Sequence, residues 1–369
     1  MVKKLGFGCM RMPLLDSNNT ESIDKEQMAK MIDKFIEEGF TYFDTSYVYH
    51  NGLSEKILGE LLVKRYPRDK FTITTKLPSF MVNTKEEMQK IFDEQLERLQ
   101  TDYVDYYWLH AINEELYNKM GKVGFEFLQD MKKAGKTKHI GFSFHDSSEV
   151  LDKILTEHPE VEYVQLQLNY IDWTSDFVQS GKCYEVCKKH NVQVVVMEPV
   201  KGGGLVNLPK EADKIYKEYN KDASNASWAI RWAASWDDVF MVLSGMSNIE
   251  QVNDNTSFMK DFVPMNDKEK ELVQKVADII NKKICIDTKD LEKCDEVCPQ
   301  NIPISTYMKL YNEHYKMDCY TNGMIYYNNI IGKHPKASAC IKCGKCNQAI
   351  DNKQNIMEYV EKCAKSFEF

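Results

Sequence analysis

The chain is predicted to be an α/β protein: a (β/α)8 TIM barrel followed by a small α-helical unit rich in cysteine. Three observations predict this. Short β-branched and aromatic runs alternate with segments of helical period through residues 1–265. No Gly-x-Gly-x-x-Gly follows an early strand, which argues against a doubly wound dinucleotide-binding sheet. Asp44, Lys76 and His110 close three successive apolar runs, at the strand ends where a parallel barrel keeps its chemistry.

Taken in order, residues 5–12 lack a helical period and are expected to form a hairpin at the closed end of the barrel. Residues 25–38 repeat Met28, Met31, Ile32, Phe35 and Ile36 on one helical face, and Gly39 ends the helix. Residues 40–44 are a short buried strand, and 53–63 a second helix. Strand 71–75, a helix marked by Met88, Ile91, Phe92, Leu96 and Leu99, and strand 103–109 follow. The alternation continues with helix 124–134, strand 138–142, helix 147–156, strand 161–168, helix 183–190, strand 192–197, helix 225–235 and strand 239–243. Seven strands are found where closure needs eight. Residues 266–284 read as a connecting helix, its helical pattern running over 267–281, and 285–369 as a separate unit, with helices through 302–327. The tyrosines 307, 311, 315, 320, 326 and 327 are expected to pack this unit on the barrel.

The net charge of −8, without a dense Lys/Arg run, argues against a nucleic-acid partner. No apolar run approaches membrane-spanning length, and the start is too short and too broken by Arg11 for a secretory signal, so the expected location is cytoplasmic. Eight of the 11 cysteines lie between Cys285 and Cys363, a clustering that reads as metal ligation in a reducing compartment.

Asp44, Tyr49, Lys76 and His110, in that order and on those elements, resemble the catalytic tetrad of the aldo-keto reductases. The resemblance implies reduction of an aldehyde or ketone, or the reverse oxidation, by hydride transfer from NAD(P)H. Tyr49 would be the general acid, Lys76 the ammonium that favours its phenolate, Asp44 the partner of Lys76, and His110 a donor to the developing oxyanion. By the same resemblance Ser143 and Gln165 hold the nicotinamide amide, and Met197 stands where an aromatic ring commonly stacks. Gly202, Gly203 and Gly204 form a turn able to approach a pyrophosphate, and Ser244, Ser247, Gln251 and Asn255 match the segment that grips the adenosine phosphate. Two departures are Phe144, in place of a common Asn, and the lack of Lys or Arg in that last segment, which leaves NADP(H) and NAD(H) both open.

The tail contains two damaged runs of the form Cys-x-x-Cys-x-x-Cys-x-x-x-Cys-Pro, in which the fourth Cys of each run binds the cluster of the other. Thr288 and Leu291 replace the first two cysteines of one run, whereas Cys294 and Cys298 survive before Pro299. Cys340, Cys343 and Cys346 survive in the other run, with Ile350 at its fourth place. The crossed rule leaves one complete set for a 4Fe-4S cluster, Cys298, Cys340, Cys343 and Cys346, with zinc as the rival occupant. A branch of the resembled family carries such a ferredoxin-like extension. Cys285, Cys294, Cys319 and Cys363 then read as buried free thiols. The competing function is an electron-transfer or redox-sensing module in which the cluster docks a redox protein partner.

Overall fold

Leu5–Gly8 form strand β1, which pairs in parallel with both neighbours and supplies the strand that the sequence pattern left out. The expected hairpin over 5–12 is therefore corrected. The run is four residues long, and two of them are glycine. A Cβ on Gly6 would stand 2.7 Å from Leu243 Cδ2 and 2.9 Å from Tyr42, so the filled barrel interior excludes the residue types by which a strand is recognised. An antiparallel bridge, Leu14 to Ile23, does occur, but it follows β1 and so belongs to the opposite end.

The computed structural model describes residues 3–317, 320–350 and 354–368. After β1 come α1 (Lys25–Glu37), β2 (Tyr42–Asp44), α2 (Leu53–Leu58), β3 (Thr72–Leu77), α3 (Lys85–Leu99), β4 (Val104–Ile112) and α4 (Glu114–Lys133). They continue with β5 (Thr137–Phe144), α5 (Ser148–Glu157), β6 (Tyr163–Gln167), α6 (Ser180–Lys189), β7 (Gln193–Met197), α7 (Lys210–Tyr219), α8 (Asn225–Ala234), β8 (Val239–Ser244), α9 (Ile249–Met259) and α10 (Asp267–Asn281). All eight strands are parallel neighbours and the sheet closes, β8 on β1. Every other strand falls within two residues of its expected start. Helices α7 and α9 were not anticipated.

Most strand-to-helix loops end on a side chain that accepts from the first helical turn: Asp24, Asn113, Ser147 and Asn248 do so and Thr84 forms a full capping box, as does Asn266 between α9 and α10. The barrel interior is plugged by Tyr42, Tyr106, Trp108, Val195, Met241 and Leu243, so no channel runs through it. The larger core lies between sheet and helices. Helix α10 buries Leu272, Val273, Val276 and Ile280 in that same core.

Beyond α10 the chain is helical: α11 (Glu292–Val297), α12 (Ile304–Met317), α13 (Tyr320–Ile331), α14 (Lys345–Ala349) and α15 (Ile356–Phe367). These helices enclose a second core around Ile286, Leu291, Tyr307, Tyr327, Ile356 and Cys363. The expected aromatic contact with the barrel is corrected in part. Tyr307 and Tyr327 pack on each other inside the tail, ring centroids 5.0 Å apart, and Tyr315 is exposed. Tyr326 alone of the described stripe bonds to a barrel side chain, Gln167. The side chain of Tyr320 and the thiol of Cys319 lie outside the described residues.

Candidate active site at the mouth of the barrel

The C-terminal ends of β2, β3 and β4 present Asp44, Lys76 and His110 to one space, because Asp44 pairs with Thr74 in register and Lys76 with Trp108. Tyr49 starts the turn Tyr49–Gly52, in which His50, Asn51 and Gly52 all have left-handed φ, at 51°, 53° and 84°. Such a turn is costly for non-glycine residues and is held from outside. The His50 ring accepts from Met12 N at 3.2 Å and donates to Thr20 O at 2.6 Å, while Asn51 donates to Glu21.

Within the site the Lys76 ammonium donates to Asp44 Oδ1 at 2.6 Å, to Thr45 O at 2.8 Å and to the Tyr49 hydroxyl at 3.4 Å. Lys76 is fully buried, so these three acceptors are what make its charge tolerable. Burial works against the ammonium, but Asp44 and Tyr49 outweigh it and hold its pKa above the usual lysine value. Burial raises the Asp44 carboxyl, opposed by Lys76 and by the Gln165 amide, which donates to Asp44 Oδ2 at 3.4 Å.

For Tyr49 the expectation is met only in part. Lys76 does pull the phenol down, but desolvation is the larger effect and the net direction is up. The hydroxyl is therefore held protonated at neutral pH. His110 lies beside it, ring centroids 5.8 Å apart, and is kept neutral by burial, by Lys76 and by His145, which together push its pKa well below the ordinary value.

Ser46, fully buried, sits 3.0 Å from His110 Nδ1. Sequence reasoning passed over it, because a serine in a loop carries no signal until its partner is known. Glu55 is a second such residue. It accepts from Thr75 Oγ1 at 2.6 Å and from Gln95 at 2.8 Å, and pairs with Arg98, locking α2, β3 and α3 beneath the tetrad.

The residues expected to bind cofactor lie at the same end of the barrel. Ser143 and Gln165 are register partners on β5 and β6, and the Ser143 hydroxyl accepts from Ala111 N at 2.7 Å. Met197 ends β7, paired with Gln167. Gly202 and Gly203 have φ of 66° and 98°, and nothing lies within 4 Å of where a Gly203 Cβ would be, so that turn is open to a ligand. It is anchored by Lys201, also left-handed at 49°, whose buried ammonium meets Asp172 at 2.5 Å. Ser244 accepts from Asn255 at 2.6 Å. Ser247 N donates to Gln251 Oε1 at 2.7 Å, so this pair is joined at the start of α9.

A basic side chain from elsewhere in the chain does lie against that segment. Arg11, on the turn after β1, accepts from Ser247 Oγ at 2.9 Å through its carbonyl, and its side chain would touch a Cβ on Gly245 at 3.3 Å. Its guanidinium is 3.7 Å from Glu198 and partly exposed. The ends of β1, β7 and β8 thus converge around one cation.

With this geometry in place the comparisons are decisive for the family. Residues 4–278 match the aldo/keto reductase family. The chain belongs to the aldo/keto reductase family. It is accordingly an enzyme of the oxidoreductase class. Similar proteins include a probable aldo-keto reductase 1 of Glycine max, 24% identical over 69% of this chain and 80% of that protein. An L-galactose dehydrogenase of Arabidopsis thaliana is 28% identical over 59% of this chain and 73% of its own length. Among solved structures, the holo form of an aldo-keto reductase of Bacillus halodurans superposes with a TM-score of 0.61 at 24% identity, covering 74% of this chain and 92% of that one. An aldo-keto reductase of Klebsiella pneumoniae in complex with NADPH gives the same score at 20% identity, over 75% and 91%.

The four cysteines of the expected cluster set line one recess, together with Pro299, Ile302, Ile304, Met357 and Val360. Left-handed residues Lys342 and Gly344, at φ of 56° and 77°, curl the 340–346 loop around it. Cys294 and Cys363 are buried free thiols as expected, whereas Cys285 is half-buried.

Proposed function

We propose that this enzyme reduces an aldehyde or ketone with NAD(P)H, or oxidises the corresponding alcohol, with Tyr49 as general acid. The observation that carries the reading is the buried ammonium of Lys76, which joins Asp44 to the Tyr49 hydroxyl. When bound, the nicotinamide supplies the hydride. The protein supplies the proton. Tyr49, protonated in the free enzyme, gives its proton to the carbonyl oxygen, and Lys76 stabilises the phenolate left behind. Neutral His110 contributes a second donor to that oxygen if Ser46 donates to Nδ1 and so fixes the proton on Nε2. Asp44 holds Lys76 in place and balances its charge.

Ser143 and Gln165 hold the carboxamide in this reading, Met197 packs on the ring, and Gly202, Gly203 and Gly204 meet the pyrophosphate. Ser244, Ser247, Gln251 and Asn255 form the adenosine end. The open turn at Gly203 and the N-terminus of α9 suit anionic groups, and Arg11 beside them favours the phosphorylated cofactor, NADP(H). The NADPH-bound relative supports this choice. A complete tetrad argues against a barrel that serves only as a docking module.

The tail, residues 285–369, is read as a ferredoxin-like unit whose Cys298, Cys340, Cys343 and Cys346 hold one 4Fe-4S cluster, after a barrel of 1–265 and the helix of 266–284. Four thiols around one apolar recess fit such a group. A zinc ion fits less well. The Cys298-Pro299 ending and the two damaged runs are features of ferredoxins and have no reason to appear in a zinc ribbon. The free state of every described cysteine suits the cytoplasm.

The test is Tyr49→Phe. Turnover of a carbonyl panel, followed at the nicotinamide absorbance, should fall on the order of a hundredfold or more while cofactor affinity changes little. Full activity in this variant removes the assignment.

A further inference from the structure

Helix α13 and the turn after it carry Tyr326, Asn329 and Lys333 at spacings of three and four, the spacing of one helical face. That face lies on the barrel mouth. The buried Tyr326 hydroxyl donates to Gln167 Oε1 at 2.9 Å, at the end of β6. The same oxygen lies 3.3 Å from His145 Nδ1, just past the end of β5. Desolvation pushes His145 down to about 4, so at neutral pH it is an uncharged donor to that oxygen, and it is close enough to His110 to shift it.

Asn329 holds the same loops from the next turn of the helix. Its amide donates to His145 O at 2.7 Å and accepts from Asn113 Nδ2 at 2.8 Å, Asn113 being the residue that caps α4. Lys333 pairs with Glu114 one residue further on. On the β7 side, the Met317 carbonyl at the end of α12 would stand 3.1 Å from a Cβ on Gly204. Three consecutive strand ends, β4 to β6, are therefore held by hydrogen bonds with two side chains of one helix, and the turn after β7 is closely approached by the C-terminal unit. Neutral groups bonded this way hold geometry without adding charge next to the tetrad.

We propose that Tyr326 and Asn329 are positioning residues of the catalytic site. Acting through Gln167 and His145, they fix the wall beside His110 against which the carbonyl substrate is oriented, so the C-terminal unit is a component of the reductase site. This rests on the reading of His110 as catalytic. It requires that removing one hydroxyl from α13 be felt by the imidazole just past β5 and by the substrate, and only weakly by the cofactor.

The experiment compares the full-length enzyme with Tyr326→Phe, which keeps the packed ring, and with Asn329→Ala, which loosens the same wall from its other end. Steady-state rates with NADPH and aldehydes of increasing size are measured beside cofactor affinity and thermal unfolding. The imidazole nitrogen signals are followed by NMR, with His145→Gln identifying the His145 signal. The expected result is a fall of about tenfold in kcat/KM for either variant, unequal across aldehyde size, with the NADPH Kd within about twofold. The His145 signal should move in Tyr326→Phe. Unchanged rates and an unmoved His145 signal, in a protein whose Tyr49→Phe variant is inactive, would overturn the proposal and leave the tetrad standing. An active Tyr49→Phe would instead overturn the tetrad, and a rate loss in Tyr326→Phe with an unmoved His145 signal would show a merely structural contact and defeat the positioning role.

Discussion

A phenol whose pKa is raised and an imidazole whose pKa is lowered set opposite edges of one pH window. Tyr49 must be protonated to act in reduction, and burial keeps it so to a pH above its ordinary value of about 10. His110 must be neutral to act as proposed, and it is neutral from well below its ordinary value of about 6.5 upward. Both conditions hold throughout the interval between. The expected profile of kcat/KM for reduction, which reports the free enzyme, is flat from about pH 6.5 to 10 and declines only outside. A limb centred near pH 7 or 8 would assign the proton transfers to other groups. At this scale Asp44, Tyr49, Lys76 and His110 were legible because each closes or follows an apolar run. Ser46, Glu55 and Arg11 were not. Their roles depend on partners 64, 20 and 236 residues away, and no local period records such pairings.

At the scale of the element, the turn after β7 shows how a strained segment is held in place. Lys201, Gly202 and Gly203 are all left-handed, and only the glycines adopt that conformation freely. The lysine is held by Asp172 from the loop after β6, and Asp172 in turn accepts from Asn169 at 2.7 Å. Removing Asp172 takes an opposite charge in direct contact away from a buried ammonium. Asp172→Ala should therefore cost about 3–5 kcal/mol in urea unfolding and weaken cofactor binding with it. A loss under about 1 kcal/mol would mean that the turn keeps its shape unaided. Elements with strong periodicity were placed closely from sequence, α10 at both ends. Strand β1 was missed because its inward position must be a glycine, and α9 because its polar, Asn-rich start reads as a loop although Asn248 is its cap.

At the scale of the whole molecule, the second core takes in Val178 from the loop after β6, and in the proposed reading a loop between Cys298 and Cys340 is closed beside it. The segment between them carries α12 and α13, the helix that reaches Gln167 and His145. Thiolates that share one group would close this segment, and closing a loop of some 40 residues stabilises a fold by about 4 kcal/mol in the chain-entropy account. Cys346 is buried and Cys343 exposed, so the recess has an inner and an outer side and its occupant would be open to solvent on one of them. The anaerobic protein is expected to contain about four irons and four acid-labile sulfides per chain. Cys298→Ser should lose both and should lower the unfolding midpoint of the C-terminal helices more than that of the barrel, since the larger core includes none of the four cysteines. About eight irons would mean that Cys294 belongs to a second cluster after all. Zinc without sulfide would replace the cluster by a single ion held by the same four thiolates.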